Sequence, residues 1–305
     1  MKVYDLIILG AGPAGITASV YAARKKMDFL VLSLDVGGQT AWSGDIENYT
    51  GYQFITGPEL TLKFEEHMKA FLAPLNMPEA AREIKKEKDF IKVITDKSEY
   101  ISKTIIIATG KRPRMLNVPG EKEFKNKGVT YCATCDGPLF KGKKVAVIGG
   151  GNSALDASLQ LIKISPKVYI INSASSLTGD PIMIESVEKS DNVEIFNNSK
   201  VKEITGDKFV KSIAIEKEGK SYNFDVEGIF IEIGLSPNSE FDKITKHNEY
   251  GEVMVDCRNS TDIEGIFAAG DVTNVPEKQI VIACGEGSKA CLSAFRYLST
   301  RRFNS

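Results

Sequence analysis

The sequence predicts an α/β fold containing two Rossmann-like units. Two segments share one layout, an apolar β-type run, a glycine turn and a helix rich in Ala and Leu: YDLIILGAGPAGITASVYAARK (Tyr4 to Lys25) and KVAVIGGGNSALDASLQLIK (Lys144 to Lys163). The runs LIIL and VAVI lack polar alternation, which suits parallel strands covered on both faces. At 305 residues the chain is long for one core and sufficient for two domains.

In the first turn, LGAGPAG, Gly10, Gly12 and Gly15 fit G-x-G-x-x-G, with Pro13 and Ala14 between them. Such glycines give a tight turn, let the backbone approach a pyrophosphate and pack helix against strand, with phosphates at the positive helix end. A ribose-binding acid is expected about 20 residues on. The next strand, FLVLSLD, ends at Ser33 with Asp35 just beyond, so one of these is expected at the ribose. REIKKEKD (Arg82 to Asp89) reads as a solvated turn flanking a strand. TIIIATG (Thr104 to Gly110) reads as a further strand, and KRPRMLNVPG as an inter-domain connection. The second turn, Gly149 to Ala154, keeps G-x-G-x-x-A spacing and by motif alone would hold a nicotinamide dinucleotide. GIFAAGDVT (Gly265 to Thr273) is another strand ending at glycines, and QIVIACGEGSKACLSAFRYL has helical spacing.

Lys plus Arg number 39 and Asp plus Glu 40, so no overall field draws the chain to nucleic acid or an anionic membrane. No apolar run approaches the roughly 18 residues of a membrane helix, and the first strand begins too early for a signal peptide; a cytoplasmic location is expected. Five cysteines are then no disulfide scaffold. Cys132 and Cys135, in YCATCDG, lie one helical turn apart, a spacing that lets one thiolate be trapped by the other as a disulfide. No metal site is expected: Cys257, Cys284 and Cys291 form no second CxxC and read as small buried residues, and His67 and His247 lie in unrelated contexts. Asp136 is placed to donate a proton, or is simply an exposed acid at a helix N-terminus.

In this order, GAGPAG, GGQ (Gly37 to Gln39), ENYTG (Glu47 to Gly51), ATG (Ala108 to Gly110), CATCDGPLF, GGGNSA and AAGDV followed by QIVIACGEG resemble the low-molecular-weight thioredoxin reductases and the reductase part of the alkyl hydroperoxide reductase flavoprotein. The resemblance runs over nearly the whole chain. It implies two three-layer ββα dinucleotide-binding-type domains, the second inserted into the first: an FAD domain of residues 1–112 and 242–305, and a nicotinamide-domain-like unit of 113–241 carrying the CxxC. It implies that Gly10, Gly12 and Gly15, with Pro13 and Ala14, hold the FAD pyrophosphate, that Gly270 and Asp271 approach its ribityl and phosphate part, and that Gly38, Gln39, Asn48, Ala108, Thr109, Gly110, Lys278, Gln279 and Ile280 line the flavin side. Reduced flavin would attack a Cys132–Cys135 disulfide through Cys135, leaving Cys132 to exchange with the disulfide of an external thioredoxin. The central domain would turn on linkers near Arg112 to Pro119 and Leu235 to Phe241. A homodimer is expected on the same ground.

The donor is less conventional. Where NADPH-using relatives of this family carry a His-Arg-Arg run and a further Arg, and NADH-using ones an acid, this chain has Asn172, Ser173, Ala174 and Thr178. NADPH is left without cations for its 2′-phosphate, although Asn172 retains a hydrogen-bonding side chain for a ribose. The pattern is closest to the clostridial-type, ferredoxin-dependent flavin thioredoxin reductases, which makes reduced ferredoxin the favoured donor. An acidic ferredoxin calls for a basic dock near the flavin, with Lys25, Lys26, Arg296, Arg301 and Arg302 as candidates. Phe303 or Trp42 could stack on the flavin. Alternatives are the same disulfide reductase driven by NADPH or NADH, a dithiol oxidase using oxygen, and a flavin redox sensor.

Overall fold

The computed structural model describes residues 2–43 and 45–303, with the backbone alone at Asp45 and Cys135. Its chain forms two compact units, Met1–Arg112 with Ser236–Ser305, and Pro113–Leu235.

The first unit begins with the predicted motif: β1 (Val3–Ala11), α1 (Pro13–Arg24) and β2 (Phe29–Val36). A one-turn 3-10 helix, Gly38–Trp42, and a small antiparallel pair, β3 (Asp45–Ile46) with β4 (Ile55–Thr56), follow. α2 (Gly57–Ala70) is fixed at its start by a capping box in which the Thr56 hydroxyl takes the Glu59 N–H and the Glu59 carboxylate takes the Thr56 N–H. Next come β5 (Leu75–Asn76), β6 (Ala81–Glu87), β7 (Phe90–Thr95) and β8 (Glu99–Ile107). The charged run REIKKEKD is therefore mostly strand: it supplies most of β6, and Lys88 and Asp89 make the hairpin. In β6 only Ile84 is fully buried, which is why composition alone disguises it.

The chain leaves this unit through β9 (Lys111–Pro113). The second unit contains β10 (Val129–Thr130), the short helix α3 (Ala133–Asp136), β11 (Val145–Ile148), α4 (Asn152–Ile162), β12 (Val168–Ile171), α5 (Pro181–Glu188) and β13 (Val193–Phe196). An antiparallel meander, β14 (Ser199–Gly206), β15 (Val210–Lys217) and β16 (Lys220–Asp225), precedes β17 (Gly228–Ile231). Its parallel sheet has the order β10-β17-β11-β12-β13. β18 (Leu235–Pro237) pairs with β9, so the outgoing and returning crossings run side by side. The return falls at Ser236 rather than at Asp242 because Asn238 donates its backbone N–H to Gly110 O (2.9 Å) and its Nδ2 to Thr109 O (2.8 Å).

Back in the first unit, β19 (Ile266–Ala268) joins the same sheet and α6 (Ile280–Thr300) closes it. The sheet order is β5-β2-β1-β8-β7-β6. β8 is shared: its first residues pair antiparallel with β7, and Ile105–Ile107 pair parallel with β19. Apolar side chains fill both faces. Leu6, Ile8 and Val31 pack toward α1 and α6; Ile7, Leu9 and Leu32 pack toward Ile84, Ile91 and Val93. α6 approaches α1 closely because it carries Gly287 at the crossing, where a Cβ would lie 2.0 Å from Ala14 O.

Candidate functional site

β1 turns into α1 at Gly10, whose φ of +105° and whose missing Cβ, which would sit 2.4 Å from Ala108 O, leave no other residue a place there. Gly15 is equally constrained: a Cβ would meet Gly10 O at 1.9 Å. α1 has Pro13 at its first position, no capping side chain and no acid in its first turn. Its N–H groups and positive end are therefore aimed at an anion from outside the helix.

Around this turn the structure gathers the other residues singled out in the sequence. Gly37 donates its N–H to Ala11 O (2.7 Å), seating the GGQ loop beside the glycine turn with Gly38 near Gly12. Gln39 Nε2 donates to Lys111 O (3.0 Å). Asn48 Nδ2 donates to Gln279 Oε1 (3.1 Å), joining two residues that are 231 apart in sequence. Ala108, Thr109 and Gly110 follow β8, and the Thr109 hydroxyl donates to Asn238 O (2.6 Å). Gln279 is the N-cap of α6 and Ile280 its first residue. Ser33 does not project outward: its hydroxyl accepts from Ala11 N (3.0 Å) and donates to Asp35 O (2.6 Å), bracing the turn. Asp35 is exposed beside it.

Asp271 follows Gly270 at the end of the β19 segment, and burial pushes its carboxyl above the usual range while the charges of Lys278 and Lys111 oppose that shift. Among the described residues no donor hydrogen-bonds this carboxylate. Lys278 Nζ instead lies 3.2 Å from Glu252 and donates to Thr273 O (2.5 Å), and Lys111 Nζ lies 2.7 Å from Glu252. A half-buried acid with spare acceptor capacity suits the hydroxyls of a sugar-alcohol chain. An uncapped helix start, a glycine turn open to a phosphate and this acceptor together fit the diphosphate and ribityl parts of FAD.

Two residues that support the turn carry no signal in the sequence. Glu286, 5% exposed on α6, accepts the Gly270 N–H (2.7 Å) and the Thr273 hydroxyl (3.3 Å). Burial raises its carboxyl despite those bonds. Glu252 gathers Lys111, Lys278 and Asn248 Nδ2 (2.6 Å); burial acts to raise its carboxyl, but these partners outweigh it and hold it low. Acid residues in a loop and mid-helix have no local signature of such partners.

In the central unit Cys132 is disulfide-bonded; the Cys135 side chain lies outside the described residues. Cys132 donates its N–H to Thr130 Oγ1 (3.3 Å), and its carbonyl accepts from Asp136 N (3.1 Å), closing the turn α3. Asp136 stands at the last position of α3 rather than at its start, half-buried, with its carboxylate taking the Thr130 hydroxyl. Cys291 is buried, as expected, but Cys284 is half-buried and Cys257 is exposed in the loop after Asp256. The described residues contain no cluster of three or more His, Cys, Asp or Glu, and no helix long and apolar enough to cross a membrane.

The second glycine turn reproduces the first. Gly149 has φ +136°, and a Cβ there would lie 2.3 Å from Glu232 O. The loop after β12 departs from expectation. Asn172 is 4% exposed and spends its side chain internally: Nδ2 donates to Ser176 O (2.8 Å), Asn197 Oδ1 (2.9 Å) and Ala174 O (3.3 Å), and Oδ1 accepts from Ala174 N (3.2 Å). It is not available to a ribose. Thr178 N–H is bound to Gly150 O (2.8 Å), while Ser173 and Ala174 are exposed and carry no charge.

The basic dock and the aromatic stack need correction. Arg301 is paired with Asp89 (3.1 Å) and with Glu264, and lies over the Tyr297 ring. Phe303 packs on Phe90 and Tyr297 beneath Lys103. Lys103 sits between Ser102 and Thr104, which pair with Tyr4 and Leu6 near the start of β1, whereas the glycine turn follows its end. Five residues of strand separate the two, about 16 Å. Lys25 and Lys26 end α1, about 18 Å from its start at the same turn, and Lys25 covers Phe295. The tail and these lysines therefore lie at the end of the sheet away from the flavin cradle; Arg296 and Arg302 are exposed along that tail. Trp42, 57% exposed on the GGQ turn, stays beside the cradle.

A model of the pyridine nucleotide-disulphide oxidoreductase family matches residues 4–287. An alkyl hydroperoxide reductase subunit of Pseudomonas aeruginosa is 42% identical over 97% of this chain, and a Bacillus subtilis protein named NADH dehydrogenase is 40% identical over 97%. The chain spans 58% of the length of each of those relatives. Among solved structures, thioredoxin reductase from Lactococcus lactis has a TM-score of 0.87 at 37% identity, covering 98% of this chain and 100% of its own. A ferredoxin-flavin thioredoxin reductase from Clostridium acetobutylicum is more distant, with a TM-score of 0.55 at 30% identity over 98% of this chain and 99% of its own.

Proposed function

Because the chain belongs to the pyridine nucleotide-disulphide oxidoreductase family, we propose that this thioredoxin reductase-like flavoprotein passes electrons to a thioredoxin through the Cys132 disulfide, and takes them from a one-electron protein carrier of the ferredoxin class. The observation that carries the donor assignment is Asn172. The position from which an acid or a neighbouring cation would hold an adenosine ribose is occupied by a buried amide committed to its own loop.

Gly10, Gly12 and Gly15, with the N–H groups of Pro13's successors at the start of α1, would hold the FAD pyrophosphate. Asp271 would accept from the ribityl hydroxyls, with Gln39, Asn48, Lys278, Gln279 and Ile280 alongside. Bound there, FAD supplies electrons singly or in pairs, which lets a one-electron donor serve a two-electron disulfide. Lys111 and Lys278 keep positive charge beside Asp271, and Glu286 fixes the Gly270 turn that presents it. Cys132, at the head of α3, is the sulfur offered to an incoming disulfide, and the Thr130 hydroxyl holds the Asp136 carboxylate within the same turn.

A second reading retains nicotinamide. It is favoured by the intact Gly149 turn and by the NADH dehydrogenase name of a 40% identical relative. Anaerobic titration of the flavin absorbance with reduced ferredoxin, NADPH and NADH, each with and without thioredoxin, separates the two. Rapid bleaching by ferredoxin alone is expected; rapid bleaching by NADPH or NADH would overturn the donor assignment while leaving the disulfide chemistry in place.

A further inference from the structure

Glu232 follows β17 and is anchored in the floor of the second glycine turn. Its backbone N–H donates to Ile148 O (2.8 Å), and its own carbonyl is the atom that Gly149 must be a glycine to approach. Its side chain accepts the N–H of Ala133, which is the amide of the Cys132–Ala133 peptide. The carboxylate thus reaches into the CxxC turn from a strand 100 residues away in the chain. Bond lengths place a cysteine sulfur about 3 to 4 Å from the next peptide nitrogen, so the Glu232 oxygens and the Cys132 sulfur stand within roughly 7 Å.

Few charges compete for it. From α4, Asp156 acts on it as a like charge; Asp156 is exposed and held by Gln160 Nε2 (2.9 Å), which also meets Thr134 Oγ1 of α3 (3.3 Å). From α3, Asp136 is turned toward Thr130 of β10. Among the described residues no lysine or arginine offsets the Glu232 charge. Burial pushes its carboxyl up to about 7, against the opposing effect of the Ala133 N–H.

We propose that Glu232 is the proton acceptor coupled to the Cys132 disulfide: when that disulfide is reduced, the Glu232 carboxylate takes up a proton from solvent. The inference rests on the reading that the Cys132 disulfide is cycled. Two electrons enter, the S–S bond breaks, one sulfur becomes a thiol with a proton from solvent and the other remains a thiolate. A new negative charge so close disfavours the carboxylate, which becomes a carboxylic acid. Two protons are then taken up per two electrons, where the thiol and thiolate alone would take one.

The test equilibrates the full-length holoenzyme and its Glu232→Gln variant with dithiothreitol and its cyclic disulfide across pH, and reads the reduced fraction of Cys132 by alkylation and mass spectrometry. Glutamine preserves an acceptor for Ala133. Oxidation of the dithiol releases two protons, so the variant's reduction constant should rise about tenfold per pH unit while wild type stays level above pH ~7. The wild-type-to-variant ratio should therefore be constant below about pH 6 and fall by up to about tenfold per unit above pH ~7. A ratio constant within about twofold over the whole range overturns the proposal. A disulfide that the dithiol does not reduce in either protein overturns the cycling reading, and the coupling with it. Should the variant not fold, reduced-minus-oxidised infrared spectra of wild type near pH 8 decide the matter. A carboxylic acid C=O band that moves on 13C-glutamate labelling supports the coupling, and its absence refutes it.

Discussion

Replacing Asn172 with Asp installs the acid that an NADH-binding relative would place after this strand, at the cost of one nitrogen. The structure makes that exchange expensive. Asn172 is 4% exposed, and its Nδ2 donates at 2.8 Å to Ser176 O and 2.9 Å to Asn197 Oδ1. Losing two well-made hydrogen bonds removes about 2 kcal/mol, and turning a carboxylate onto the oxygens left behind adds about 1 to 3 kcal/mol. The amide already fills the space under the turn that Gly150 leaves open, where a Cβ would lie 2.5 Å from Oδ1. The variant should be about 3 to 5 kcal/mol less stable at pH 8 in urea unfolding of the central unit. A buried Asp prefers its neutral form, so the penalty is present above its raised pKa and shrinks as pH falls toward 5. NADH should bleach the flavin of the variant no faster than that of wild type. Stability within about 1 kcal/mol of wild type at pH 8, or a gain of NADH-driven reduction, would refute the claim that this amide is committed to its loop.

Glu286→Ala strands the Gly270 N–H and should cost about 2 to 3 kcal/mol and lower the flavin-to-protein ratio of the purified chain, whereas Glu286→Gln should retain most of both. Gly15→Ala drives a Cβ to within 1.9 Å of Gly10 O and should destabilise the first unit by about 1 to 3 kcal/mol in thermal unfolding, although Ala154 occupies the matching place in the second turn. Glu232 binds its proton more tightly folded than unfolded. Wild-type stability should therefore fall by about 2 to 3 kcal/mol between pH ~4.5 and ~7, a slope that Glu232→Gln should lack in urea titrations at successive pH values. Arg301→Glu should leave the rate and salt dependence of flavin reduction by ferredoxin unchanged, because its side chain faces Asp89 and Glu264 at the far end of the sheet; a slowed rate in stopped-flow absorbance would show that the tail is part of the dock.

Local spacing makes the two glycine turns readable. Gly10 and Gly149 act through their own φ and the strand beside them, and the pattern around each lies within twenty residues. The pairing of Asn48 with Gln279, by contrast, is reached only through resemblance, since nothing near either residue points to the other. Side chains whose partners are distant in sequence stay hidden. Glu286, Glu252 and Glu232 look like ordinary surface acids until the fold surrounds them, and Arg301 looks like free charge until Asp89 and Glu264 meet it. Asn172 reads as a missing charge when it is a fastening, because its three acceptors belong to loops whose path the sequence does not disclose. The charged strand β6 escapes for a simpler reason: a hairpin edge with one fully buried residue leaves almost no alternation to detect.

The close crossing of α1 and α6 sets an order for biosynthesis. Ala14 cannot be covered by Gly287 until the ribosome has added about 175 residues beyond Arg112, nor can Ile107 pair with Ala268 until it has added about 155. At 5 to 20 residues per second that wait lasts roughly 10 to 40 s. The central unit, contiguous from Pro113 to Leu235, can complete its own core meanwhile. The unit whose first segment is made before the central unit is thus completed after it, and its sheet stays unclosed in the interval.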